Sequence, residues 1–127
     1  MHANLKSLVT RAAAIALLFV SSLGAVPATD AGVVGGPQST WTFVYPHDSD
    51  QYELYLRGGQ PTWIRVSGDG STDLDLFIYD EYGNLIDSDT DGTDECYASV
   101  TPRWTGTFRI VVRNLGSESN GYSIWTN

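Results

Sequence analysis

Almost every apolar run in this chain is short and alternates with polar residues by two. Tyr52, Leu54 and Leu56 share one face of an extended run, as do Leu74, Leu76 and Ile78, and Phe108, Ile110 and Val112. A period of two sends successive side chains to opposite faces of a strand, so each run has a single face to bury. Turn chemistry separates the runs: Gly58-Gly59, Gly68-Asp69-Gly70, Tyr82-Gly83-Asn84 and the stretch from Pro102 to Gly106. No helical period outlasts these breaks. The pattern predicts about eight short strands: 41–45, 52–57, 62–67, 73–79, 85–88, 96–101, 107–113 and 122–126. That spacing belongs to an all-β sandwich or barrel, with one-sided strands burying their apolar faces against each other.

The N-terminal residues read differently. Lys6 and Arg11 precede the apolar run Ala12–Val20, and small residues follow through Ala28. A basic start, an apolar stretch shorter than the roughly 20 residues of a membrane span, and a small-residue exit predict a secretory signal peptide over 1–28. Cleavage is expected at Ala28 or Ala31. Residues 29–40 read as a flexible Gly/Pro-containing lead-in, and 41–127 as the folded domain. The whole chain of 127 residues has a formal charge of −8; without the signal it keeps 5 basic against 15 acidic residues, a charge of −10. Such acidity excludes nucleic acid as a partner, because phosphate binding needs clustered cations. It equally disfavours an anionic membrane surface once the signal is removed. Secreted or periplasmic location follows as the expectation.

The run Asp73-Leu74-Asp75-Leu76-Phe77-Ile78-Tyr79-Asp80, followed by Gly83-Asn84, resembles the signature strand and turn of bacterial pre-peptidase C-terminal domains. Gly106–Val112 resembles a later strand of that family, and Gly121–Ile124 its closing strand. The likeness covers about residues 41–127 and rests most on Asp73, Asp75 and Gly83. It implies a jelly-roll-like antiparallel β-sandwich of about eight strands. It also implies a non-catalytic module that accompanies exported enzymes and aids secretion, localisation or substrate binding. The collagen-binding domains of secreted collagenases are relatives, and some of them bind calcium. Part of their ligand set comes from an acidic segment ahead of the first strand. Here that segment contributes only Asp30, so that site is not carried over.

Five acids crowd nine residues, Asp87 to Glu95. They contain Asp-x-Asp-x-Asp-Gly, the first half of an EF-hand loop, in which alternate carboxylates converge on a hard cation. Ala98 stands where the bidentate Glu of a full loop would fall. The first reading is a solvated acidic loop, since Asp suits turns; the alternative is calcium as cofactor, held by Asp87, Asp89, Asp91, Asp94 and Glu95. Asp73 and Asp75 share a strand face, close enough to act together as acid and base or as metal ligands; a role in strand-edge structure is the stronger reading. His47 lies in a turn beside Pro46, and no Gly-x-Ser-x-Gly elbow occurs, so nucleophilic catalysis has no support. Cys96 reads as a small buried hydrophobe, with an intermolecular disulfide as the alternative.

Exposed rings supply the binding expectation. Trp63 and Arg65, Phe77 and Tyr79, and Trp125 fall on the faces opposite their strands' apolar residues. Flat rings stack on sugar faces or pack on extended protein chains. The chain therefore reads as an exported, non-enzymatic binding or accessory module engaging a secreted protein or an extracellular polymer, protein or polysaccharide. A small secreted hydrolase using a carboxylate pair, and an inhibitor- or immunity-type protein-binding domain, are the alternatives.

Overall fold

A computed structural model describes residues 32–127. The expected signal peptide lies outside the described residues. Eight strands follow one another: β1 (Ser39–Val44), β2 (Ser49–Leu56), β3 (Thr62–Ser67), β4 (Leu74–Tyr79), β5 (Leu85–Asp89), β6 (Glu95–Val100), β7 (Gly106–Asn114) and β8 (Asn120–Thr126). They form two four-stranded sheets, β1-β8-β3-β6 and β2-β7-β4-β5, with all pairs antiparallel. Among the described residues no helix is long and apolar enough to cross a membrane.

The pairing has a simple rule. β4 meets β5, β3 meets β6, β2 meets β7 and β1 meets β8. The chain is thus one long hairpin folded at the 79–85 turn and rolled so that successive strand pairs alternate between sheets. This is a jelly roll. The turn at its centre has clear local causes. The Asp80 carboxylate accepts the backbone N–H groups of Tyr82 and Asn84 at 2.8 and 2.9 Å. Gly83 takes φ 84°, a left-handed conformation that favours glycine. These bonds, the Asn84 side chain first, hold the Asp80 carboxyl below its ordinary pKa.

The alternating residues fill the space between the sheets. Leu56, Ile64, Leu74, Leu76, Ile78 and Ile110 are fully buried. Cutting one of these back to alanine typically costs about 2–5 kcal/mol. Strand ends differ from the expected bounds by one to three residues, mainly because polar residues such as Ser39, Ser49 and Asn120 continue the ladders. Part of the Gly/Pro stretch before β1 is also built in: Val33 is buried and bridges to Leu56, and Val34 N–H donates to Tyr55 at 2.9 Å. An apolar residue next to the open end of β2 finds core space there, whatever the turn residues around it.

One buried group breaks the apolar pattern. Asp50, Tyr52 and Tyr122 lie between the sheets, with Asp50 only 1% exposed. The Tyr122 hydroxyl donates to the Asp50 carboxylate at 2.6 Å and also shares a hydrogen bond with the Tyr52 hydroxyl. Burial, then the neighbouring charge of Asp50, pushes the Tyr52 hydroxyl well above its usual pKa. Burial does the same to Tyr122, helped by Tyr52 and Asp50.

Candidate functional site

The register decides which exposed residues share a surface. On the outer face of the β1-β8-β3-β6 sheet, Ser39, Trp125, Arg65 and Tyr97 form one cross-strand row. Trp41, Ser123, Ser67 and Glu95 form the next row, and Trp63 pairs with Ser99 in the row on the other side. Trp41 is 63% exposed and Tyr97 51% exposed, while Trp63 and Trp125 are half-buried. Phe43 extends the group from β1, meeting Trp41 edge-on at 6.3 Å. The Arg65 guanidinium sits 5.8 Å from the Trp125 ring. This face therefore gathers Trp63, Arg65 and Trp125 and adds Trp41, Phe43 and Tyr97.

Phe77 and Tyr79 are elsewhere. They project from β4 on the outer face of the other sheet, stacked at 6.2 Å between centroids. Arg113 lies 4.8 Å over the Phe77 ring and Arg109 lies 4.5 Å over the Tyr79 ring. Each guanidinium lies about an ångström closer to its ring than Arg65 does to Trp125, and at that distance it covers a ring face a ligand would need. The five residues expected to bind together thus divide between opposite sides of the sandwich. A further exposed aromatic pair, Tyr82 and Trp104, meets at 6.2 Å at the end of the fold near the central turn.

The five acids of the 87–95 stretch separate into different tasks. Asp87 and Asp89 lie on β5, at the edge of one sheet, and reach the edge strand of the other. Asp87 accepts the Ser99 N–H and Asp89 the Tyr97 N–H, each at 2.9 Å. Their carboxylates stand in for a neighbouring strand's carbonyls and close the sandwich edge. Asp91 accepts the Thr93 N–H and hydroxyl at 2.9 Å within its own turn. Asp94 is buried and accepts from Gly70 N–H at 2.7 Å and from the Asn120 amide at 2.9 Å. Glu95 accepts the Ser67 hydroxyl at 2.8 Å on the outer face. Among the described residues no three His, Cys, Asp or Glu side chains converge in a way that could hold a metal ion. As they stand, these carboxylates do not fit a calcium shell.

Asp75 lies on β4 and Asp73 immediately precedes that strand, its carbonyl accepting the Leu115 N–H at 3.0 Å. Asp75 is 6% exposed and pairs across the sheet with Arg113. One carboxylate oxygen of each aspartate is buried without a hydrogen-bond partner. Burial, then the charge of Asp73, raises the Asp75 carboxyl above its ordinary pKa, against the pull of Arg113. Cys96 is buried and free, its thiol donating to the Leu74 carbonyl at 3.3 Å. Burial, reinforced by Asp89 and other nearby aspartates, pushes the thiol up to about 12, so at neutral pH it stays protonated and unreactive. His47 is exposed in the β1–β2 turn, at φ 54°.

No family model matches the chain, and no curated protein matches it. Solved structures do. The pre-peptidase C-terminal domain of a collagenase from Bacillus anthracis is similar with a TM-score of 0.61 at 12% identity, over 71% of this chain and 88% of that one. A periplasmic inhibitor of g-type lysozyme from Aeromonas hydrophila is similar with a TM-score of 0.55 at 16% identity, over 81% of this chain and 91% of that one. At such identities the likeness is one of fold: this chain shares their β-sandwich.

Proposed function

We propose that the chain is an exported, non-catalytic binding module of the pre-peptidase C-terminal type, and that it binds through the outer face of the β1-β8-β3-β6 sheet. The observation behind this reading is the gathering of Trp41, Trp63, Tyr97 and Trp125 on one open sheet surface. Large rings left in water on a folded domain mark a site of contact with something else. The folds it resembles include an enzyme's accessory domain and a periplasmic enzyme inhibitor, both consistent with a partner-binding role. The basic-apolar-small pattern of residues 1–28 supports export. The partner is a secreted protein or an extracellular polymer.

The test is retention of the purified protein on immobilised polymers and proteins, among them gelatin, insoluble polysaccharides and g-type lysozyme. Trp41→Ala and Trp63→Ala should each abolish most retention, and Phe77→Ala on the opposite sheet should leave it intact. Loss on the Phe77 side alone would move the site to the other sheet. Lysozyme inhibition unaffected by either tryptophan change would replace this reading with an inhibitor acting through its loops.

A further inference from the structure

The register places the three tryptophans of the binding face on a straight diagonal. Trp41 on β1 pairs with Ser123 of β8, and Trp125 stands two residues further along β8. Trp125 pairs with Arg65 of β3, and Trp63 stands two residues further along β3 in the same sense. Each step thus moves one strand across and two residues along. Diagonal neighbours of this kind stand roughly 7–8 Å apart at Cβ, so the three rings mark a line about 15 Å long. From this line we infer that the face is a platform for an extended, uncharged polysaccharide chain. The inference rests on the binding reading given above and names its ligand.

Three further features point to that ligand chemistry. First, the residues between the rings are small and hydroxylated: Ser39, Ser67, Ser99 and Ser123. They leave the rings standing above their surroundings and offer donors and acceptors suited to sugar hydroxyls. Second, the surface leaves room for a ring close to the sheet. A Cβ added to Gly121 would come within 3.1 Å of Trp41 Cζ2, so the indole uses the space that a side chain at 121 would take. Third, the charge is wrong for an ionic partner. Across the paired outward positions of β1, β8, β3 and β6, only Arg65 and Glu95 carry charge, one of each sign, on a chain whose net charge is −8. An anionic glycan would require clustered cations and a cationic partner clustered acids, and this face has neither: Asp69, beside Gly121 at its margin, is held by the Gly121 N–H at 2.7 Å. A neutral chain of pyranose rings matches a line of aromatic platforms with Arg65 as its one charge, since apolar sugar faces stack on rings while their hydroxyls meet the serines and the guanidinium.

The probes are microcrystalline cellulose, chitin and insoluble starch in pull-down assays, with soluble cellohexaose and chitohexaose followed by tryptophan fluorescence. The protein should bind at least one insoluble polymer, and its soluble hexaose should shift the fluorescence. Trp41→Ala, Trp63→Ala and Trp125→Ala should each weaken binding roughly tenfold, a conventional cost for one lost stacking partner. Gly121→Val, which puts a side chain into the space the Trp41 ring uses and leaves all three tryptophans present, should weaken it too. Melting curves of each variant establish that it folds, and the glycine variant and the fluorescence titration keep the test decisive if one tryptophan change does not. No binding to any of the three polymers, or binding that all four changes leave untouched, overturns the inference. Tryptophan-dependent binding to gelatin alone would overturn the polysaccharide assignment and leave the binding face standing. Absence of binding to polymers and proteins alike would overturn both.

Discussion

Removing the Tyr122 hydroxyl tests whether the buried polar group between the sheets holds the two sheets together. The hydroxyl donates to a carboxylate that is 1% exposed, and it also contacts the Tyr52 hydroxyl. A hydrogen bond to a charged group is worth about 1.5–3 kcal/mol, and the carboxylate that loses it stays buried. Tyr122→Phe should therefore cost about 2–3 kcal/mol. Tyr52→Phe loses mainly a neutral partner and should cost about 1 kcal/mol. For a domain of this size 1 kcal/mol moves Tm by about 4–8 °C, so Tyr122→Phe should melt about 10–20 °C lower. Urea unfolding followed by tryptophan fluorescence gives both costs, and an unchanged m-value would confine the effect to stability. pH supplies a second readout. Both tyrosines have folded-state pKa values raised above 10.0, chiefly by burial. The unfolded chain ionises first, so this stability is complete below pH 10 and is lost as pH rises beyond it. The wild type should weaken steeply between pH 10 and 11 and Tyr122→Phe less so. A cost below about 0.5 kcal/mol for Tyr122→Phe, or a larger cost for Tyr52→Phe, would refute the reasoning.

Three other outcomes follow from the acids. The Asp75 carboxyl is raised above 3.8, so its ionisation costs stability as pH rises from 3.8 through the folded value; Asp75→Asn should raise the urea midpoint at pH 7, with the gain vanishing below pH 3.8. Asp89→Ala should cost about 0.5–1.5 kcal/mol and speed hydrogen exchange at the Tyr97 amide, whereas Asp89→Asn retains an acceptor and should cost less; unchanged Tyr97 protection would argue against edge closure by carboxylates. Millimolar Ca²⁺ should leave Tm within about 1 °C, because these carboxylates are already engaged, and a rise of several degrees with heat in calorimetry would show that the loop reopens around the ion.

Alternation made the strands legible: all eight were visible, and inward residues such as Leu76, Ile110 and Tyr122 sit between the sheets as their phase required. What alternation cannot show is partnership. Phe77 and Trp63 have the same phase within their strands, yet β4 and β3 belong to different sheets. The local pattern states only that each residue faces away from the core, and only long-range pairing decides which surface it reaches. Tyr97 was outward by phase, but Trp41 and Phe43 share the more apolar phase of β1, and alternation alone gave no sign that they face water; all three gain significance only once β1 and β6 are seen in the same sheet as Trp125. The acid stretch shows the same limit of local reading. Its spacing imitates a metal loop, but Asp87 and Asp89 lie on an edge strand whose carboxylates meet the backbone of β6. Gly83 was readable because its cause is local, a turn that needs a left-handed residue.

The rolled-hairpin pairing has a consequence for how this chain comes into being. Thr40 pairs with Ile124, 84 positions later, and β2 likewise waits for β7. A chain that emerges from a ribosome or a translocation channel N-terminus first can close only the β4–β5 hairpin early. The first strand remains single until the last has appeared, and one sheet is completed only by β7 and the other only by β8. Contacts so distant in sequence fold slowly. Vectorial synthesis therefore meets an open chain, and the sandwich closes only after nearly the whole domain has emerged; if the chain is exported as proposed, a narrow channel would meet the same open chain.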